Sequence, residues 1–436
     1  MRNIKILKNN GEDRVYLLIT LVSMLILISG MRKTDASILL IFFSLPMLGR
    51  PVTLIPMLFV TSWNMTFSIF GLGAYFYYFI LFLIAMAFSH RHYGRFIGAN
   101  RTTLFYVLFA VYIIISAVFS ISHVTEPAIR LMFTILSVAF VGLFQCKSQL
   151  YIYKSLFWIA LVASIYFGIR ILISPVPFVI ESEVLDSISS VQPTIMRRVN
   201  PNSAAQIITI LSIILFITDI RVKQYKTPII FALLLNLNTL ITLASRTSFY
   251  ALGASFALYL IFASNMSKAR KFHLLLLTAG VMYLLNQFIE SIESRLIVTS
   301  VLEDEGSGRF ITWTLLWEDV VPKYWLLGFG YGIANYRILN FPFDADNMYM
   351  DLLCQLGVIG SALFYFLHFD MMKRVNSARR DSIGMESMFF ILCCFLVFGF
   401  GETVFNTPLY WASLLLVSSL QPNKNSNTKK SYQLPT

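Results

Sequence analysis

Ser203 to Ile220 reads SAAQIITILSIILFITDI, an apolar run broken by one charge, Asp219, after which the chain turns basic at Arg221, Lys223 and Lys226. About 20 predominantly apolar residues in a helix cross the hydrocarbon of a bilayer. The run therefore reads as a membrane span, and its basic flank as a loop on one side. Runs of the same kind fill most of the chain. Before it lie Val15–Gly30, Ala36–Gly49, Val52–Phe70, Ala74–Ser89, Thr103–Ile121, Ile129–Gln145 and Ile152–Ser174. After it come Pro228–Ala244, Thr247–Ser264, Phe272–Phe288, Met348–His368, Met385–Gly401 and Val404–Leu420. Between residues 36 and 70, Pro46, Arg50, Pro51 and Pro56 leave a re-entrant pair or one kinked helix as alternatives, so the total lies between twelve and fourteen.

Composition agrees. Of 436 residues, 57% are hydrophobic and 13% charged, with 39 Phe, against roughly 25% charged in ordinary soluble proteins. A soluble globular enzyme is excluded, and the fold class is an all-α polytopic membrane protein. The net charge of +12 does not mark nucleic-acid binding. The positive residues gather between spans, at Arg91/Arg95/Arg101, Arg221/Lys223/Lys226, Lys268/Arg270/Lys271 and Lys373/Arg374/Arg379/Arg380, as expected of cytoplasmic loops.

With the basic amino terminus (Arg2, Lys5, Lys8, Arg14) inside, fourteen spans return both termini to the cytoplasm. The chain then divides into a cytoplasmic amino terminus (1–14), amino-terminal spans (15–174), a first external loop (175–202), central spans (203–288), a large external loop (289–347), carboxyl-terminal spans (348–420) and a disordered cytoplasmic tail (421–436). The large loop is where chemistry is expected, since long loops are usually functional or disordered. In it Phe310, Trp313, Trp317, Val320 and Val321 recur at helical spacing, which predicts an amphipathic helix at the membrane surface.

Cys146, Cys354, Cys393 and Cys394 lie in or beside apolar runs without Cys-x-x-Cys spacing, and His90/His92 is the only close histidine pair. No disulfide framework, metal site or cofactor is called for.

Four places carry polar residues that apolar spans do not need. Arg197 and Arg198, followed by Asn200-Pro201-Asn202, precede the span at Ser203; guanidinium groups bind phosphate through paired donors, while the asparagines suit helix capping. Arg246 stands in a tight turn between two spans, either snorkelling to headgroups or directed into an external cavity. Gly306-Ser307-Gly308-Arg309 precedes the amphipathic helix, a flexible turn or an anion cradle. Finally Gly328, Gly330 and Gly332 lead to Asp344, Asp346, Asn347, Tyr349 and Asp351, then to Gly357 and Gly360. Asp346 suits a helix cap or a general base toward a sugar hydroxyl.

Taken in order, Arg198-x-Asn200-Pro201-Asn202, Ser245-Arg246, Gly308-Arg309-x-x-x-Trp313, the glycines at 328–332, Asp346-Asn347-x-Tyr349 and Gly357-x-x-Gly360 resemble the O-antigen ligase and polymerase superfamily over Arg198 to about Trp411. The resemblance implies a C-type glycosyltransferase of the bacterial inner membrane that takes an undecaprenyl-diphosphate-linked glycan on the external face, with a second such glycan as acceptor. Ligases of the family usually carry His-Asn where this chain has Asp346-Asn347. That difference points to a polymerase of the Wzy type, extending O-antigen or capsule repeats, with transfer to lipid A core as the ligase alternative. In this reading Asp346, Arg309 and Arg246 are catalytic, and Arg197, Arg198, Asn202, Gly308, Asn347 and Tyr349 bind substrate. Membrane lipids and a chain-length regulator are the further partners. A lipid-linked oligosaccharide flippase is the competing class. It is disfavoured by the lack of similar halves and by the scarcity of charges inside spans, Arg130 and Arg170 being the clear ones.

Overall fold

The computed structural model describes residues 11–29, 33–63, 68–69, 72–173, 201–221, 225–243, 245–262, 267–296, 309–332, 334–341, 345, 347–378, 382–402 and 404–420. The chain is an all-α polytopic bundle, with two short antiparallel strand pairings among the described residues. Among the described residues six helices are long and apolar enough to cross a membrane.

The bundle opens with α1 (Gly11–Ser29), whose first turn holds Glu12 and Asp13, where carboxylates oppose the positive end of the helix dipole. Arg50 reaches this turn, 3.0 Å from Asp13 and 3.8 Å from Glu12. It comes from the link between α2 (Lys33–Ser44) and α3 (Leu54–Thr61), which consists of two 3₁₀ turns, each with proline in its first positions. Proline favours helix starts and forbids helix continuation, so residues 33–61 form a pair of short helices and not one kinked span. At 1.5 Å per residue neither reaches across about 30 Å of hydrocarbon; α3 is buried at every position.

A two-residue hairpin, β1 (Ser68–Ile69) with β2 (Leu72–Gly73), leads into α4 (Ala74–Tyr93). Strand β3 (Gly94–Phe96) follows, then α5 (Arg101–Val118), capped by Asn100, whose Oδ1 accepts from the Thr103 amide at 3.0 Å. Next come α6 (Glu126–Val141) and β4 (Phe144–Cys146). β3 and β4 pair antiparallel, Gly94 opposite Cys146, which fastens the end of α4 to the end of α6.

The centre is built by α7 (Gln149–Ile173), α8 (Pro201–Arg221), α9 (Lys226–Leu243), α10 (Arg246–Phe262) and α11 (Lys268–Leu296). Asn236 of α9 donates to Ser164 of α7 at 2.9 Å and Ser212 of α8 at 3.0 Å, a polar tie between helices whose apolar surfaces discriminate little between lipid and protein. Beyond these come α12 (Arg309–Leu315), a π-helical turn (Leu316–Val320), α13 (Val321–Tyr324), α14 (Ala334–Ile338), α15 (Met348–Ala378), α16 (Ile383–Phe398) and α17 (Pro408–Leu420). All thirteen residues of α17 are buried, and α16 is buried along most of its length. Peripheral helices instead turn large apolar side chains outward, Phe88 85% and Leu284 67% exposed, which only an apolar surrounding tolerates over so much surface.

The expected amphipathic helix exists, but its apolar positions divide between two faces. Leu316 and Val320 are buried and Trp313 is half-buried, whereas Ile311, Leu315 and Trp317 are exposed. The π turn explains the division: an i→i+5 turn holds extra residues and shifts the phase of a 3.6-residue pattern.

Candidate functional site

The helix starts that carry several of the candidate residues meet at one end of the bundle. α9 stops at Leu243 and α10 begins at Arg246. The next turn of α10 is tied to α8, where Thr209 donates to the Ser248 carbonyl at 3.5 Å. Thr247 lies against Gly401 so closely that a Cβ on Gly401 would stand 2.4 Å from its Oγ1. The same turn, residues 399–402, holds the start of α15: the Met348 amide donates to Gly399 at 2.8 Å and Asn347 Nδ2 donates to Phe400 at 3.3 Å. One short turn thus bridges the start of α10 and the start of α15.

Asn347 caps α15. Its Oδ1 accepts from the Tyr349 amide at 3.0 Å and the Met350 amide at 3.1 Å, satisfying donors that a helix start leaves open. Tyr349 donates its hydroxyl to the Leu396 carbonyl at 2.6 Å and packs on Phe400. Both side chains lock the junction. Arg197, Arg198, Gly308 and Asp346 fall outside the described residues, as do the side chains of Asn202, Arg246 and Arg309; the backbones of the last three open α8, α10 and α12. Glu402, which sequence reasoning passed over, sits in the bridging turn. A lone acid between two apolar runs was the only signal that could have marked it.

The segment from 309 to 345 packs as a small body of its own around Leu316, Val320, Phe329, Tyr336, Ala345 and Cys354. It is pinned to a break in α15, where Gly357 takes φ 63° and ψ −171°. Backbone groups freed by a broken helix must be satisfied inside a membrane protein, and here the glycine turn does so. The amides of Phe329 and Gly330 donate to Cys354 and Gln355 at 2.9 and 3.1 Å, and the Val358 amide donates to Trp325 at 2.8 Å. Tyr112 of α5 donates to the Leu356 carbonyl at 2.7 Å. These amides therefore serve the break in α15.

Two buried polar residues complete the clamp. Asn335 accepts from Ser120 Oγ at 2.9 Å and the Ser122 amide at 2.8 Å, and donates to the carbonyls of Gly330 at 2.9 Å and Gly332 at 3.3 Å. Asp351 accepts from the Tyr336 hydroxyl and, at 3.2 Å, from the Ala345 amide. The 119–125 turn and the glycine turn therefore share one end of the molecule.

Against this geometry, residues 231–365 match the family model described as O-antigen ligase. That segment is similar to the O-antigen ligase family. The match supports the O-antigen ligase and polymerase superfamily, whose members are glycosyltransferase-like enzymes, and a multi-pass membrane protein. No curated protein matches the chain. The matched segment contains Arg246, Arg309, Asp346, Asn347, Tyr349 and the glycine turn; it leaves out Arg197, Arg198 and Asn202.

Two cavities adjoin the matched segment. One, of about 320 Å³, lies between the start of α4, the start of α6, the glycine turn and α17, lined among others by Tyr75, Glu126, Arg130, Thr134, Tyr331 and Trp411. Arg130 and Glu126 pair one turn apart. Burial, with smaller contributions from Tyr75 and Asp351, pushes the Tyr331 phenol up, so it stays protonated. The other, of about 400 Å³, is an apolar groove among α8, α9, α10 and α11, walled by Phe216, Phe249, Phe256, Leu274 and Met282.

Proposed function

We propose that the protein is a glycosyltransferase that polymerises undecaprenyl-diphosphate-linked repeat units into O-antigen or capsular polysaccharide on the external face of a bacterial inner membrane, with both termini cytoplasmic. The observation that carries this reading is the junction at residues 399–402, which gathers the starts of α10 and α15 of the matched segment at one end of the bundle. Arg246 opens one of those starts, and Asn347, which follows Asp346 in the sequence, caps the other. The pairing of β3 with β4 supports the orientation, since it joins two segments assigned to the cytoplasm. So does the packing of the 119–125 turn on the glycine turn, both assigned outside.

The chemistry follows from the charges. Asp346 takes the proton of an acceptor hydroxyl, whose oxygen bonds to the anomeric carbon of the donor glycan. The bond from that carbon to the diphosphate oxygen breaks, and the electron pair leaves with the lipid diphosphate. Arg198, Arg246 and Arg309 offset the developing negative charge, and Arg197, Asn202 and Gly308 bind substrate. With Asn347 as the cap of α15, the capping role that competes for Asp346 is already filled. Asn347 and Tyr349 act by holding the helix start that carries Asp346. The apolar groove offers a place for the carrier's hydrocarbon chain, and a chain-length regulator is a further partner.

The family model's description favours a second reading, transfer of finished glycan to lipid A core. Deletion in the native host, followed by gel analysis of surface polysaccharide, separates the two. Loss of the ladder with one repeat retained supports polymerase, and loss of every repeat from the core supports ligase. Accumulation of lipid-linked repeats on the cytoplasmic face would refute both and identify a flippase.

A further inference from the structure

We propose that the cavity between α4, α6, the glycine turn and α17 is a subsite for one uncharged sugar ring of the glycan, separate from the place that holds the lipid diphosphate, and that it selects which repeat unit is accepted. The inference rests on the glycan-transfer reading above.

Size sets the first limit: about 320 Å³ is at the small end of ligand sites, roughly 300–1,000 Å³. The lining then defines the chemistry. Glu126 supplies acceptors, Arg130 supplies donors, the hydroxyls of Tyr75 and Tyr331 supply both, and Thr134, whose hydroxyl donates to the Arg130 carbonyl at 2.9 Å, supplies an acceptor, while Trp411 adds apolar surface. A pyranose ring presents the matching pattern, hydroxyls around its edge and C–H bonds on its faces.

Charge excludes the alternatives. The Arg130 guanidinium is paired with Glu126, so the lining carries no net charge, whereas a diphosphate calls for unpaired cations. A hydrocarbon chain would leave the paired charges and hydroxyls without partners; the apolar groove among α8–α11 suits it instead. An i,i+4 Glu–Arg pair at a helix start is by itself an ordinary feature worth about 0.3–0.5 kcal/mol. This pair differs in facing a cavity that Tyr75 also lines.

The walls are fixed before any ligand arrives. Tyr331 stands between Gly330 and Gly332, at φ 103° and 128°, whose amides donate to Gln355 at 3.1 and 3.0 Å. Trp411 donates its indole N–H to Phe405 at 2.8 Å, and Phe405 packs on Tyr331. Preorganised walls favour binding because little ordering remains to be done. Of the six lining residues named, only Tyr331 belongs to the matched segment. The subsite is thus contributed chiefly by the rest of the chain.

The test uses full-length protein in detergent and, as probe, the oligosaccharide released by mild acid from the host's lipid-linked repeat, with binding followed by saturation-transfer NMR. Arg130→Ala and the exchanged pair Glu126→Arg/Arg130→Glu are expected to weaken binding at least tenfold without lowering the melting temperature. Inorganic diphosphate is expected not to compete. Wild-type binding by the exchanged pair would show that the two residues only brace the helix, and displacement of the probe by diphosphate would show an anion site; either overturns the proposal. Should those variants melt early, Tyr75→Phe keeps the ring and removes one hydroxyl: binding weakened threefold or more supports the subsite, and unchanged binding overturns it. Deletion that abolishes the ladder while pocket variants bind normally refutes the subsite alone. Deletion that leaves the polysaccharide unchanged refutes the function and the subsite together.

Discussion

Replacing Asn335 by alanine removes four hydrogen bonds from a side chain with no solvent exposure. A typical intramolecular hydrogen bond contributes about 1 kcal/mol net. Ser120 can turn toward Ser122, 3.1 Å away, and the Gly332 carbonyl keeps the backbone amide of residue 335 at 3.2 Å, but the Ser122 amide and the Gly330 carbonyl have no such alternative. The loss is therefore about 2–3 kcal/mol for the clamp between the 119–125 turn and the glycine turn. At 1.36 kcal/mol per factor of ten, amide exchange through local opening should accelerate by roughly 30- to 150-fold. Hydrogen–deuterium exchange with mass spectrometry should find this in peptides covering 119–124 and 328–336, with the β3–β4 pairing unchanged. Asn335→Asp keeps the acceptor and sets a carboxylate against two carbonyls, so it should be at least as damaging. Exchange within about threefold of wild type for Asn335→Ala would refute the clamp.

Gly357→Ala places a Cβ 2.4 Å from the Leu326 carbonyl at a positive φ; such strain costs of order 1–3 kcal/mol before any clash. The yield of monodisperse protein should collapse, while Gly49→Ala, with nothing within 4 Å of the new carbon, should purify normally. Cys146 is buried in β4 and desolvation pushes its thiol up to about 12. It should resist maleimide from pH 7 to 9 in the folded protein and react once unfolded. Because the unfolded thiol ionises first, its contribution to stability is complete below about pH 9 and falls as pH rises toward 12; rapid labelling at pH 7 would contradict the burial. Asp346→Asn should leave protein level normal and cut polymer by roughly the 10²- to 10⁴-fold typical of general acid–base catalysis, with Asp344→Asn milder. A full-length ladder from Asp346→Asn would move proton removal to another group.

The helices were legible because hydropathy is a local signal: a helix stands within each of the fourteen apolar runs. The pair at α2 and α3 stayed open in the sequence because prolines permit both a kink and a turn; the packing of α3 inside the core decides it. Gly357 was visible as a motif residue, yet its helix break was not, since the partner that stabilises it lies some 30 residues away in the glycine turn. Asn347 illustrates the opposite case: a residue assigned to substrate by resemblance is engaged by two amides and the Phe400 carbonyl. The cavity had no linear signature at all. Tyr75, Arg130, Tyr331 and Trp411 come from four distant stretches, and Arg130 read only as a charge in an apolar run.

The bond between Ser120 and Asn335 joins residues 215 positions apart. A ribosome adding about 5–20 residues per second makes the first of them some 10–40 s before the second. During that interval the turn between α5 and α6 waits without the side chain that ties it down. The broken helix α15, which anchors the same clamp, is made later still. The clamp consequently closes late in synthesis, and a ribosome stalled shortly before residue 357 leaves a chain with most of its helices made and this junction unassembled.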